Sequence, residues 1–248
     1  MNLSCLESII FDMDGLLVDS ERLARESLVS TAAEFGLDPD LDLFTRMIGL
    51  PEDGSVRLLR AAYGDSFPAG RFIARAASDC ITKLDAGHLG LKPGAAELID
   101  WLDQSGLRKG VATSSSRAKA THTLSSVGVL DRFDVIVTRD DVARGKPHPD
   151  LFLRAALEMG VDSRRCLVLE DSYNGVRAAH AAGMRVVMVP DLLCANPEMC
   201  ALSEAVVPSL FAVLDALAGA GLSTGAQEAY LLPSGWASMV GARVDPEE

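Results

Sequence analysis

The sequence predicts an α/β fold: a Rossmann-like parallel-sheet core with an inserted all-helical cap. Three observations carry this reading. Ile9, Ile10 and Phe11 form an apolar run that stops at Asp12-Met13-Asp14-Gly15, the pattern of a buried strand ending in a polar loop. From residue 92 onward, strand, loop and helix recur in units that demand a parallel sheet with helices on both faces. Between Ser20 and Leu91 no strand pattern occurs, so a helical block interrupts the alternation.

The elements follow in order. After the opening strand, 21–35 carries Leu23, Leu28, Ala32 and Phe35 at helical spacing, and Gly36 ends it. Helices over 53–63 and 69–84 are separated by Gly64-Asp65-Ser66-Phe67-Pro68. Proline and glycine mark the start of a helix over 94–105, and Gly106 its stop. A strand over 109–113 ends in Ser114-Ser115-Ser116, hydroxyls that also cap a helix running to Val127. A strand over 133–138 leads through Gly145-Lys146-Pro147-His148-Pro149 to a helix ending at Met159. A strand over 166–169 leads through Glu170-Asp171 to a helix ending at Ala182, and a strand over 184–189 runs into Pro190-Asp191. A short strand over 205–207 and a helix over 210–217 complete the pattern. The expected division is 1–18 with 92–219 as core, 19–91 as cap, and 220–248 as an aperiodic tail carrying Tyr230 and Trp236.

Composition narrows the function classes. With 248 residues, 48% of them hydrophobic, the chain can bury one sizeable core, or one core plus a smaller domain. A net charge of -12 argues against nucleic-acid and anionic-membrane partners, although a metal and a few cations can still receive an anionic substrate. No apolar run reaches about 18 residues, and Met1 to Cys5 lacks a signal-peptide layout, so the expectation is a cytoplasmic protein. Cys5, Cys80, Cys166, Cys194 and Cys200 show no paired ligand spacing and read as reduced thiols.

In an open parallel sheet, ligands bind beyond the carboxyl ends of the strands. Those ends present, in chain order, Asp12 and Asp14, the serine cluster, Lys146, and Glu170 with Asp171. Together they supply what phosphoryl transfer needs: carboxylates for a hard cation, a nucleophile, a proton donor, and cationic and hydroxyl groups for phosphate oxygens. Singly, each has an ordinary explanation as a turn, a helix cap, a solvated lysine or an acidic first turn. Their ordered recurrence at successive strand ends favours one shared site.

The segments DMDGLLVDSE, VATSSS, GKPHPD and LEDSYNGVRAAHAAGM resemble the four motifs of the haloacid dehalogenase-like phosphohydrolase superfamily. The helical insertion after the first is similar to the cap of the subgroup containing phosphoglycolate phosphatase, β-phosphoglucomutase, 2-deoxyglucose-6-phosphate phosphatase and pseudouridine-5'-phosphatase. The resemblance implies Asp12 as the nucleophile forming an aspartyl-phosphate and Asp14 as general acid and base. It implies Ser114, assisted by Ser115 and Ser116, and Lys146 as the phosphate-binding groups. It implies Mg2+ held by Asp12, Asp171, the backbone carbonyl of Asp14, and Glu170 as a second or water-mediated partner. The partner is then a small phosphomonoester, acted on by a monomer or small homo-oligomer. Mutases of the β-phosphoglucomutase kind carry a histidine just after the first motif, where this chain has Ala24, which favours hydrolysis. A phosphosugar mutase and a non-catalytic regulatory protein are the alternatives.

The cap is less informative. Gly49-Leu50-Pro51 is the expected lid loop, because it breaks the cap helices where they reach down. Arg22, Arg25, Arg46 and Arg57 could receive an anion, although charges on a helix are usually solvated. His88, His122, His148 and His180 read as surface or packing residues.

Overall fold

The computed structural model describes residues 6–47, 50 and 52–219. The tail beyond 219, Cys5, Gly49 and Pro51 lie outside the described residues. Strand β1 (Ser8–Phe11) is followed by four helices, α1 (Ser20–Glu34), α2 (Leu41–Met47), α3 (Glu52–Tyr63) and α4 (Ala69–Asp85). Helix and strand then alternate: α5 (Ala95–Ser105), β2 (Arg108–Ala112), α6 (Arg117–Ser126), β3 (Val135–Val137) and α7 (Asp150–Met159). They continue as β4 (Cys166–Glu170), α8 (Tyr173–Ala181), β5 (Arg185–Met188), α9 (Pro197–Leu202), β6 (Ala205–Val206) and α10 (Leu210–Gly219).

The strands form one six-stranded sheet in the order β3-β2-β1-β4-β5-β6. Each pairing is parallel, with Ile10 of β1 opposite Gly110 on one side and Val168 on the other. Parallel pairing explains the near-continuous apolar strands, since helices cover both faces. Alternation along β1 divides the core. Ile9 and Phe11 pack with Leu98 of α5, Leu124 of α6 and Val213 of α10, whereas Ile10 packs with Phe152 of α7, Val176 of α8 and Met199 of α9.

Helices α1 to α4 build a third apolar cluster around Phe44 and Phe72, both fully buried. Phe72 meets Phe35 edge-on at 5.3 Å and lies 5.7 Å from Phe67, an arrangement favoured by the ring quadrupoles. The two crossings between this helical segment and the sheet run side by side. Val18 and Leu91 form an antiparallel bridge, Asp19 N donates to Gly90 O at 3.0 Å, and Lys92 N donates to Leu17 O at 2.8 Å.

Helices α2 and α9 are absent from the sequence reading. Each spans fewer than two full turns of apolar period (7 and 6 residues), so local spacing does not reveal them. Helix α9 is set instead by its cap, with Asn196 Oδ1 accepting from Met199 N at 2.9 Å and proline at the first helical position. Among the described residues no helix is long and apolar enough to cross a membrane.

Candidate active site

The order of the strands places β1 beside β4 at the point where the chain changes direction across the sheet, the position at which open α/β sheets bind ligands. Asp12 N donates to Leu169 O at 3.0 Å, which extends the ladder one residue past β1 and fixes the start of the polar loop. The Asp12 side chain is buried at the carboxyl end of the two strands. Gly15 then turns with φ +83°, and a Cβ there would lie 2.5 Å from Asp171 Oδ2. Only glycine serves, for both the dihedral angle and the space.

Lys146 arrives from the loop between β3 and α7. Its Nζ touches both Asp12 Oδ1 and Glu170 Oε1, and its side chain is 5% exposed. It also lies 5.0 Å above the ring of Phe152. Glu170, the last residue of β4, is fully buried. Its Oε2 accepts from Ser172 N at 3.0 Å and Ser172 Oγ at 2.9 Å, and the same Ser172 Oγ caps α8 by accepting from Gly175 N at 3.1 Å.

Asp12, Glu170 and Asp171 can place one oxygen each within 4.8 Å of one another, all three side chains being buried. Three carboxylates facing one ammonium leave surplus negative charge out of contact with bulk water. Burial pushes the Asp12 carboxyl up to about 7, partly opposed by Lys146 and reinforced by Glu170. Burial, then Glu170 and Asp12, push Asp171 well above the usual carboxylate range. Burial alone would lower Lys146, but Asp12 and Glu170 outweigh it and hold the ammonium above its ordinary value. An all-oxygen donor set with unbalanced charge suits a hard divalent cation.

The Asp14 side chain is outside this group of three. Its Oδ2 accepts from Ser115 Oγ at 2.7 Å and its Oδ1 lies 3.2 Å from Lys119 Nζ, with Ser20 a further hydrogen-bond partner. Burial would raise this carboxyl, but Lys119 and the two hydroxyls outweigh it and hold it below its ordinary value. Ser114 is exposed beyond β2, and Ser116 Oγ caps α6 by accepting from Lys119 N at 3.3 Å. The structure thus brings Asp12, Lys146, Glu170 and Asp171 together, with Asp14 and Ser115 as a second pair.

Lys119 escapes the sequence reading. The available signal was its place in the first turn of α6, where a cation opposes the helix dipole and needs another reason to be there. Glu21 escapes it too: burial, together with Asp191, pushes its carboxyl up to about 8. Of the arginines considered for an anion, Arg22 is engaged by Asp19 and Glu26, both at 2.7 Å. His122 pairs with Asp85 at 2.8 Å, joining α6 to α4.

Fold and strand-end groups together define a Rossmann-like α/β enzyme with an acidic, lysine-bearing site. The chain belongs to the haloacid dehalogenase-like hydrolases, whose family model matches residues 9–189. CbbY of Rhodobacter capsulatus is 36% identical over 194 residues, 75% of this chain and 86% of that protein. Hexitol phosphatase B of Escherichia coli (strain K12) is 33% identical over 213 residues, 81% of this chain and 91% of that protein. A HAD-family hydrolase from Deinococcus radiodurans R1, crystallised with phosphate and sodium, superposes with a TM-score of 0.78 at 30% identity, covering 89% of this chain and 99% of that one.

Proposed function

We propose that this chain is a phosphatase that hydrolyses a small phosphomonoester, a sugar phosphate or a nucleotide-like phosphate, through an aspartyl-phosphate on Asp12. The observation that carries the reading is the Lys146 ammonium shared between Asp12 and Glu170 at the strand ends. A cation there supports the reading, since an incoming phosphoryl oxygen would meet it beside a carboxylate able to attack. The similarity to a hexitol phosphatase supports a phosphorylated carbohydrate as substrate class.

Asp12 attacks phosphorus, and the bond between phosphorus and the leaving oxygen breaks. Asp14, two residues on, gives a proton to that oxygen. The negative charge of the bound phosphoryl group raises the proton affinity of Asp14 above that of the free site. Asp14 then takes a proton from water, which attacks the aspartyl-phosphate, releases inorganic phosphate and restores Asp12. Ser114 donates to a phosphate oxygen and Lys146 balances the phosphate charge, whereas Ser115, expected to bind phosphate, has its hydroxyl proton engaged by Asp14. Asp12, Asp171 and the Asp14 carbonyl, with Glu170 as a direct or water-mediated partner, would hold Mg2+. The ion would offset the repulsion between carboxylate and phosphate dianion. Ala24 in α1, where a mutase of this kind has histidine, supports water as the final acceptor. We place selectivity on the 19–91 cap, since the chemistry belongs to the sheet.

The test is phosphate release from p-nitrophenyl phosphate by Asp12→Asn with Mg2+ present. The expected result is loss of turnover, and full residual activity would overturn the mechanism. A panel of sugar, nucleoside and glycolyl phosphates then assigns the substrate class.

A further inference from the structure

Asp14 is gripped from several directions, and the one cation among the gripping groups has no place in the mechanism above. Ser115 Oγ holds Oδ2 at 2.7 Å, while the ammonium of Lys119 stands 3.2 Å from Oδ1. A carboxylate anchored through one oxygen still turns about its Cβ–Cγ bond. Anchored through both, it holds its remaining lone pairs, and the proton one of them carries in the acid form, in a defined direction. Among the described residues Lys119 is the only lysine or arginine within ion-pair distance of Asp14.

The backbone behind Lys119 is hydrogen-bonded although the side chain itself is 57% exposed. Its amide donates to Ser116 Oγ at the start of α6, and Ser115 is fixed by its own amide donating to Thr113 Oγ1 at 3.1 Å. Two of the three anchors of Asp14 therefore come from one capped helix start, the third being Ser20 of α1. His122 lies three residues further along α6, on the same side of the helix as Lys119, and its Nε2 is 2.8 Å from Asp85 Oδ1 of α4. The side of α6 that holds Asp14 is thus the side joined to the helical segment. Packing does not order an exposed lysine at such a place, so its partner must.

We infer that Lys119 is a positioning residue for proton transfer: it orients the Asp14 carboxyl group, which carries the proton when it acts as acid, toward the leaving oxygen without touching the substrate. The inference rests on the proposed role of Asp14 as general acid. General acid help is worth about two to four orders of magnitude, and a misplacement of about 1 Å can forfeit much of it.

The readout is the leaving group. An alkoxide needs a proton as it departs, whereas p-nitrophenolate needs little. The quantity kcat/KM reports steps up to the first irreversible one, here formation of the aspartyl-phosphate, so Asp14 acting later as a base does not enter. Lys119→Met is expected to lose about tenfold or more on β-glycerophosphate and less than about threefold on p-nitrophenyl phosphate, with Lys119→Arg recovering most of the difference. Lys119→Gln provides a second variant, and melting curves for all three establish that they fold. Equal losses on the two substrates, or none, would overturn the inference. So would a loss confined to a bisphosphate such as fructose 1,6-bisphosphate, which would make Lys119 a substrate contact. Asp14→Asn run in parallel separates the two readings. If it shows no leaving-group dependence, the role of Asp14 itself fails. If it shows that dependence and Lys119→Met does not, only the role of Lys119 fails.

Discussion

The carboxylate of Glu170 lies where a side chain on Gly175 would be: a Cβ built there collides with the Glu170 carboxyl group. Helix α8 thus approaches the end of β4 closely enough to hold a fully buried carboxylate against its first turn. That carboxylate in turn engages Lys146. Gly175→Ala is expected to drive Glu170 away from Lys146 and Ser172. Breaking such a buried pair costs about 3–5 kcal/mol. Urea denaturation measures the stability loss, and wild-type stability together with wild-type turnover would contradict the packing relation.

Metal removal should act on stability as well as rate. A ligand that binds only the folded state stabilises it by about 2.7 kcal/mol at a concentration 100 times its Kd. Mg2+ is therefore expected to raise the Tm of the native chain in a concentration-dependent way, and chelator to reverse this and stop turnover. Asp171→Asn should flatten the Tm response. An unchanged Mg2+ dependence in that variant would remove Asp171 from the proposed ligand set.

Acid sensitivity has a source away from the site. Burial raises Asp141, but the hydrogen bonds from Arg117 and Thr138 outweigh it and bring its carboxyl from the ordinary 3.8 to about 2. A depressed folded-state value means that the unfolded chain takes the proton first. The stabilisation is then fully present above about pH 4 and disappears as pH falls toward 2. Asp141 joins the end of β3 to the start of α6, through Thr138 N at 2.7 Å and the Arg117 guanidinium at 2.5 Å. Asp141→Asn should be less stable than the native chain at about pH 6, with the gap narrowing at about pH 3. Urea midpoints at the two values check it, and a gap that widens on acidification would refute it.

The helical segment has an apolar cluster of its own, so we propose that 19–91 opens as one unit. Phe72 is fully buried at the centre of that cluster, and truncation of such a side chain costs about 3–5 kcal/mol. Phe72→Ala should speed hydrogen exchange across α1 to α4 while amides of β1 and β4 stay protected. Uniform acceleration over both would show that the segment and the sheet unfold together.

The sequence alone determined the alternation of strand, loop and helix and the residue types at the strand ends. It also determined the interruption by a helical block. These are legible because they are local: apolar runs of strand length, glycine and proline boundaries, and hydroxyl caps all act within a few residues. Short elements such as α2, whose 7 residues give too little periodicity, fall below that signal.

Only the tertiary structure decided who meets whom. Lys146 reaches Asp12 across 134 residues of sequence, and Lys119 reaches Asp14 across 105. Both contacts depend on β1 lying between β2 and β4, a strand order that no local spacing encodes. The same order separates two carboxylates that sequence places side by side. Asp12 is turned to Lys146 and the acidic cluster, Asp14 to Ser115 and Lys119. The reason is physical: a charge held away from bulk water takes the orientation set by the nearest opposite charge, and that neighbour arrives from a distant part of the chain.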